Sequence, residues 1–417
     1  MRLRSTTATP PDGYASRPYA FYVMGVLMVA TLLSLLDRYL PALLVGPIRA
    51  DLKITDTQVS LIQGYAFSLF YFVVGVPLGA LIDRYNRRSI IIGGLLFWSL
   101  MTSATSLAQN AGQLFLARAG VGMGEACLAP AAYSLIADYF EPARRGRAIG
   151  FYYTSLSIGA GASFFIGGVI LAAMKHTSYL YIPGLGELRP WRVVFLIAGI
   201  PGMGAAILML TVREPQRKRE VFTPEGLATL RAHLTKHWRT FSLLYAFYAL
   251  MGFIAFATVS WAPTLYSRKW GMPLSFAGVR IGVAVAVAGI VGSILAGSLS
   301  DRWAARDGQG ARLRTPLFGI VINLAVLGFW TTTRDANLSL LLLGVSVVAN
   351  NIGLATAALT LQEISPNELR GRVLAIFQIV AGLATAAGPT AVALVTDYGY
   401  RSDAKLAVSL AIVPTVG

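Results

Sequence analysis

Twelve apolar runs, most of them long enough to cross a lipid bilayer, decide what this chain can fold into. Spanning hydrocarbon as a helix takes about 20 apolar residues. Runs of that order sit at 19–46, 59–82, 89–108, 112–137, 148–174 and 192–212, then at 241–262, 275–300, 315–332, 338–361, 372–396 and 405–417. In lipid the backbone must satisfy its own hydrogen bonds, so runs of this length are helices. Ile281–Ala288 alternates like a strand, yet its run is far too long for one. The last run has only 13 residues, about 20 Å of helix, so either the chain was cut there or the last helix is incomplete. The expectation is an all-α membrane protein of twelve helices, six plus six.

Composition agrees. Charged residues make up 13% of the chain and mean hydropathy is +0.62, where a soluble domain carries about 25% charge. The net charge of +16 does not indicate nucleic acid, because the basic residues are spread between apolar runs. The single Cys127 excludes an internal disulfide and reads as a small core residue. Residues 1–18 hold Arg2, Arg4 and Arg17 with no apolar stretch and no clear cleavage site, and the next run is too long for a signal-peptide core. They are expected to form a basic cytoplasmic tail. With that end inside, the inner segments carry 22 Lys and Arg against 10 in the outer ones, so both termini are expected in the cytoplasm.

The chain also repeats itself. Gly79-Ala-Leu-Ile-Asp83-Arg84 closes one run and Gly297-Ser-Leu-Ser-Asp301-Arg302 closes another, 218 positions later. Arg145-Gly-Arg147 and Arg370-Gly-Arg372 echo each other 225 positions apart. Duplicated membrane halves are a feature of secondary transporters. The expected units are a tail (1–18), a first six-helix bundle (19–212), a cytoplasmic linker (213–240) and a second bundle (241–417). In the linker, Thr223-Pro-Glu225 reads as a helix start. Leu227, Leu230, Leu234 and Trp238 then form a stripe flanked by Arg231, Lys236 and Arg239, as in an amphipathic helix. It acts either as a latch on the separation of the halves or as a plain tether.

An ionised side chain in hydrocarbon costs at least about 2.5–3.5 kcal/mol on insertion scales. Four look deeply placed, all in the first half: Asp37, Arg38, Arg118 and Glu125. Arg118 and Glu125 are seven apart, on one helix face about 10 Å apart. Each needs a partner from another helix, and Arg38–Glu125 with Asp37–Arg118 would satisfy all four. Burial disfavours an ionised acid and a neighbouring guanidinium favours it. Glu125 should therefore take a proton when Arg38 leaves and release it when Arg38 returns, which couples protons to shape. An anionic headgroup could compete for Arg38.

The second half repeats the architecture without the charges. Glu125 shifted by 225 falls on Asn350, beside Asn351, and the counterpart of Asp37–Arg38 is the neutral stretch Thr258, Ser260, Trp261 before Pro263, which answers Pro41. Tyr65, Tyr133, Tyr152, Tyr153 and Gln378 are further cavity candidates. Gly79 and Gly297 are expected to let helices approach closely. Asp83 and Asp301 can cap a neighbouring helix and bind loop arginines such as Arg145 or Arg370. With Arg84 and Arg302 these make a breakable cytoplasmic lock between the halves, and Arg84, Arg87 and Arg88 favour anionic lipid. Glycines at 159, 161, 167, 168, 382 and 388 suit bending and sliding helices.

These motifs resemble the major facilitator superfamily along nearly the whole chain and, within it, the spinster-like transporters. The resemblance rests on the doubled Gly-x-Leu-x-Asp-Arg, Leu36-Asp37-Arg38-Tyr39, Gly120-Val-Gly-Met-Gly-Glu125-Ala and Pro142-Ala-Arg-Arg-Gly-Arg147-Ala. It implies two pseudo-symmetric six-helix bundles that rock around a central cavity. It also implies that Asp37, Arg38, Arg118 and Glu125 match the family's charged cavity residues, and a ligand such as a lysolipid or sphingoid lipid, including phosphorylated ones. The fifth helix lacks the Gly-Pro pair associated with exchangers, so no motif argues for antiport. The compact loops suggest a bacterial member in the inner membrane.

The expected function is proton-coupled transport of an amphipathic anion by alternating access, with membrane lipids around a monomer. A carrier of a small organic anion or drug is the alternative. A membrane enzyme fits poorly, since His176, His233 and His237 lie outside the runs and no paired metal ligands occur. No Gly-x-x-x-x-Gly-Lys-Ser/Thr loop argues for an ATP-driven pump. No cofactor beyond protons is expected, and a sensor without transport is disfavoured by the duplication.

Overall fold

Polar residues between the apolar runs start and stop the helices. The side chains of Asn86, Asn110 and Asp335 accept backbone N–H bonds from the first turns of the helices they precede, and Thr55 with Gln58 forms a capping box. The computed structural model describes residues 14–217, 225–366 and 368–416. Arg2, Arg4 and Thr223 lie outside them.

In the first half, α1 (Arg17–Leu43) is followed by the short α2 (Val45–Leu52). Then α3 (Asp56–Leu61) runs through a π-helical turn at Ile62–Ala66 into α4 (Phe67–Arg84). After α5 (Arg87–Thr105) come α6 (Ala111–Glu125) and α7 (Leu128–Tyr139), which make one span broken at Ala126–Cys127, and then α8 (Pro142–Ala173). A small antiparallel hairpin, β1 (Leu180–Ile182) with β2 (Gly186–Leu188), precedes α9 (Pro190–Met209). Sequence reading missed this hairpin. The linker helix is α10 (Glu225–Lys236).

In the second half, α11 (Trp238–Trp270), α12 (Leu274–Asp307) and α13 (Arg314–Thr332) are followed by α14 (Ala336–Leu354) and α15 (Ala357–Glu363) as one broken span. Then α16 (Arg370–Leu394) continues through a π-helical turn at Val395–Tyr400, and α17 (Leu406–Val416) follows. Ile281–Ala288 is helical, within α12. Among the described residues, nine helices are long and apolar enough to cross a membrane. The spans built on α5, α6–α7 and α17 complete the six-plus-six pattern.

Each bundle has a linker end, where α10 and the start of α1 lie, and an opposite far end. At the far end a single buried core takes residues from both halves, including Leu40, Leu43 and Phe164 with Trp261, Ile281 and Val285. At the linker end the cores are separate. One holds Met24, Trp98 and Tyr152 of the first half, the other Tyr248, Met251 and Phe377 of the second. The halves are therefore joined at the far end and stand apart at the linker end. Leu230 and Leu234 set α10 against the second-half core, while Trp238, expected in the same stripe, is 61% exposed.

Glycine makes the far-end joint possible where α8 lies along α12. A Cβ on Gly161 would come 2.5 Å from the Gly282 carbonyl oxygen, and one on Gly168 would come 2.7 Å from that of Ser275. The expected close approach at Gly79 and Gly297 is not found: a Cβ at either would meet nothing within 4 Å.

Candidate functional site

Helix α1 carries Asp37 and Arg38 just before Pro41. Proline lacks an N–H, so the Asp37 carbonyl loses its helical partner and the helix is loosened beside the charges. Glu125 is the last residue of α6, at the break before α7. Arg118 stands two turns earlier. Phe67 and Tyr71 enter from the start of α4, directly after the π-helical turn, a feature that often marks functional sites.

The predicted Arg38–Glu125 pair is present. Arg38 Nη2 donates to Glu125 Oε2 at 3.2 Å, and Ser34 Oγ donates to the same oxygen at 2.5 Å. The Arg38 guanidinium also sits 4.4 Å from the Phe67 ring centre and 5.5 Å from that of Tyr71, contacts worth about 0.5–2 kcal/mol. Arg38 keeps 31% of its side chain exposed while Glu125 is fully buried. Arg38 is thus the member of the pair nearer the open space, and Glu125 the enclosed one.

The predicted Asp37–Arg118 pair is not formed. Both are almost wholly buried, yet no ion pair within 4.0 Å joins them. Asp37 Oδ1, Glu125 Oε1 and all three Arg118 guanidinium nitrogens lack a hydrogen-bond partner in the protein. The reason is helix placement. α1 and α6 barely touch; α6 leans on α5, α4 and the π-helical turn, and both arginines approach the Phe67 ring, Arg38 at 4.4 Å and Arg118 at 6.0 Å. Long arms such as Arg38 and Glu125 cross that gap, and the short arm of Asp37 does not. Ser34, Phe67 and Tyr71 were missed by sequence reasoning, because neutral residues in an apolar run give no signal.

The cavity candidates divide. Tyr152 is buried, bonds Thr31 at 2.6 Å and packs edge-on against half-buried Tyr133. Tyr65 is half-buried in the π-helical turn, and Tyr153 and Gln378 are exposed. Thr258, Ser260 and Asn350 are buried with side-chain oxygens unpartnered. Trp261 is instead a bolt between helices, its Nε1 donating to the Pro389 carbonyl at 2.9 Å. Asn351 bonds its own helix at Val347, and its Cβ fills the space at Gly292.

Among the described residues no ion pair crosses the halves at the linker end. Arg145 donates to the Ala137 carbonyl and Arg370 to those of Gln362 and Ser365. Asp301 pairs with Arg312 rather than Arg370. Asp83, Arg84 and Arg302 are exposed. The pairs expected between these residues across the halves are thus not formed among the described residues. The pairs that do cross lie at the far end, where sequence reading placed none. Arg268 of α11 holds Asp56 of α3 through two bonds of 2.6 and 2.7 Å. Arg49 pairs with Asp403, and Thr57 donates from its N–H and hydroxyl to Asp397 at 2.8 and 2.7 Å.

Two duplicated helical bundles, joined by one linker, closed at one end and holding buried charges between helices, define a membrane secondary transporter. A family model described as Major Facilitator Superfamily matches residues 27–389, and the chain belongs to that superfamily. It is similar to an MFS-type efflux pump of Mycolicibacterium smegmatis, at 27% identity over 91% of this chain and 85% of that protein. It is also similar to protein spinster homolog 1 of Rattus norvegicus, at 34% identity over 46% of this chain; that alignment spans only 36% of the relative. A crystal structure of a bacterial homolog to the human lysosomal transporter spinster, inward-facing and unoccupied, superposes with a TM-score of 0.78 at 26% identity, covering 92% of this chain and 83% of that one. Within the superfamily the chain is spinster-like.

Proposed function

We propose that the chain moves an amphipathic, anionic, lipid-like substrate by alternating access, with protons coupled through Glu125 and Arg38. The observation that carries this reading is the incomplete pairing of the buried cluster. A buried charge without hydrogen bonds is costly, and Arg118 has none for its guanidinium while Glu125 has one oxygen free. An entering anion would satisfy an arginine, and an entering proton would satisfy Glu125 once Arg38 turns to that anion. The uncharged Thr258, Ser260 and Asn350 in the second half suit a less polar part of the ligand. The linker end faces the cytoplasm of a bacterial inner membrane, both termini lie inside, and the protein works as a monomer.

The test is ligand-induced stabilisation. A ligand that binds the folded state raises its apparent stability by mass action. Lysolipids, sphingoid phosphates and small organic anions are compared on wild type and Arg38→Ala. A lysolipid or sphingoid-phosphate shift lost in Arg38→Ala supports the reading. Shifts only with small anions support the alternative, a carrier of a small organic anion or drug, which the similarity to an efflux pump keeps open. Equal lipid shifts in both proteins remove Arg38 from headgroup recognition.

A further inference from the structure

Arg38 and Glu125 both belong to the first half, yet alternating access requires the position of the second half to be felt at this pair. The span α3–α4 touches both. One side of it lies against α16 of the second half, in antiparallel register. Nearest the far end, Thr57 bonds Asp397. Further along, a Cβ on Gly64 would strike the Ala386 carbonyl, and one on Gly382 would strike the Phe72 ring. The two backbones therefore meet at Gly64, and the Phe72 ring rests on bare α16 backbone.

The other side of the same span grips α1 on either side of the turn that Pro41 loosens. Before that turn, Phe67 and Tyr71 flank the Arg38 guanidinium at 4.4 and 5.5 Å. Tyr71 in turn packs edge-on against Phe72, 5.3 Å between ring centres. At the proline itself, Gln63 Nε2 donates to the Pro41 carbonyl at 3.0 Å. Gln63 is buried and stands in the π-helical turn, beside Gly64. Two other contacts steady the α1 backbone. Tyr39 packs edge-on against Phe256 of α11, and Ser163 of α8 donates to the Leu36 carbonyl at 2.9 Å. The rings that flank the guanidinium, however, are on α4.

We propose that Gln63 is a positioning residue of the transport cycle. Its bond to α1 makes the proline turn follow α3–α4 as that span follows α16, so far-end opening changes the hold of Phe67 and Tyr71 on Arg38. Without the bond, α3–α4 could slide along α1 and leave Arg38 where it is. The inference rests on the reading of Arg38 and Glu125 as the coupling pair.

Coupling between two places is shown by a double-mutant cycle, not by proximity. Spin labels on the far ends of α2 and α11 of the full chain report the closed-to-open ratio. Glu125→Gln, which weakens the hold on Arg38, should change that ratio about tenfold in wild type. In Gln63→Met, a swap of similar volume, the same change should be about twofold or less. This variant should fold, because the Pro41 carbonyl still accepts from the Leu44 N–H at 3.0 Å; thermal unfolding checks it. Phe72→Leu, a second route to the same cut, should also shrink the Glu125→Gln effect. Ser163→Ala, which removes the α8 bond to α1, should leave it near tenfold. An equal effect of Glu125→Gln with and without Gln63, no effect in wild type, or an equal loss in Ser163→Ala would overturn the proposal. The cycle uses neither substrate nor a pH change. An unchanged pH profile of transport in Glu125→Gln would thus defeat the proton-coupling reading alone, while the distances judge the role of Gln63.

Discussion

Replacing Arg268 by Ala should release the far end. In the closed state the Asp56 carboxylate is fully buried and receives both Arg268 nitrogens. Without Arg268 its nearest cation is Arg49 Nη1, at 3.6 Å. Removing one partner of a buried pair costs about 3–5 kcal/mol, because the remaining charge is left uncompensated. Arg268 is itself 19% exposed and Arg49 remains, so the lower figure, about 3 kcal/mol, applies. The penalty falls only on the closed state, since opening the far end returns Asp56 to water. A cost of about 3 kcal/mol changes a two-state ratio by roughly 150-fold. A far end closed about 99 times in 100 would become closed about half the time.

Spin labels placed on the far-end faces of α2 and α11 read this as a second, longer distance in the purified protein. Arg268→Lys should give an intermediate result, because an ammonium cannot reproduce the two-pronged bond. The double variant Arg268→Ala with Asp56→Asn should recover part of the closed population, since no buried charge is left behind. An unchanged distance distribution in Arg268→Ala would refute the argument. It would mean that the shared apolar core and the glycine crossing hold the far end without the ion pair.

Glu125→Gln should keep the fold and abolish the pH dependence of transport in proteoliposomes; an unchanged pH profile removes Glu125 from coupling. Gly161→Val should lower the thermal stability by at least about 1–3 kcal/mol or hold the far end apart, because its Cβ would meet the Gly282 carbonyl; unfolding curves with far-end distances distinguish these. Arg87→Ala should cost about 3–5 kcal/mol in thermal unfolding, since Arg87 is 1% exposed and holds both Asp138 and Glu214. Burial pushes the Asp403 carboxyl up, but the bond from Arg49 and the charges of Arg268 and Arg49 outweigh it and hold the carboxyl below the ordinary range. A lowered acid stabilises its state above the ordinary value of about 3.9, and that gain is lost as the pH falls through the lowered value. The Arg49–Asp403 contribution to far-end closure should therefore be constant from neutrality to about pH 5 and fade below about pH 4; Asp403→Asn should remove that acid limb from a pH series of far-end distances.

The helices were legible in the sequence because one property, the length of an apolar run, decides them. The Arg38–Glu125 pair was legible for a related reason: an ionised group deep in a run must find a partner, and two long side chains reach across a gap whatever its exact width. Asp37–Arg118 was not, because a short carboxylate depends on the distance between helices, which the length of an apolar run does not set. The far-end pairs were illegible for the opposite reason. Asp56, Arg268 and Asp403 lie at span ends, where water is near and a charge costs little, so nothing in the local sequence calls for a partner. Their burial is created by the meeting of the two halves. Glycine shows the same limit: Gly79 and Gly297 stand in a repeated motif and touch nothing, while Gly161 and Gly282 carry the crossing. A repeated motif records what the two halves share. Which end is closed depends on contacts between residues that the repeat does not pair, such as Asp56 with Arg268, and these exist only once the halves have met.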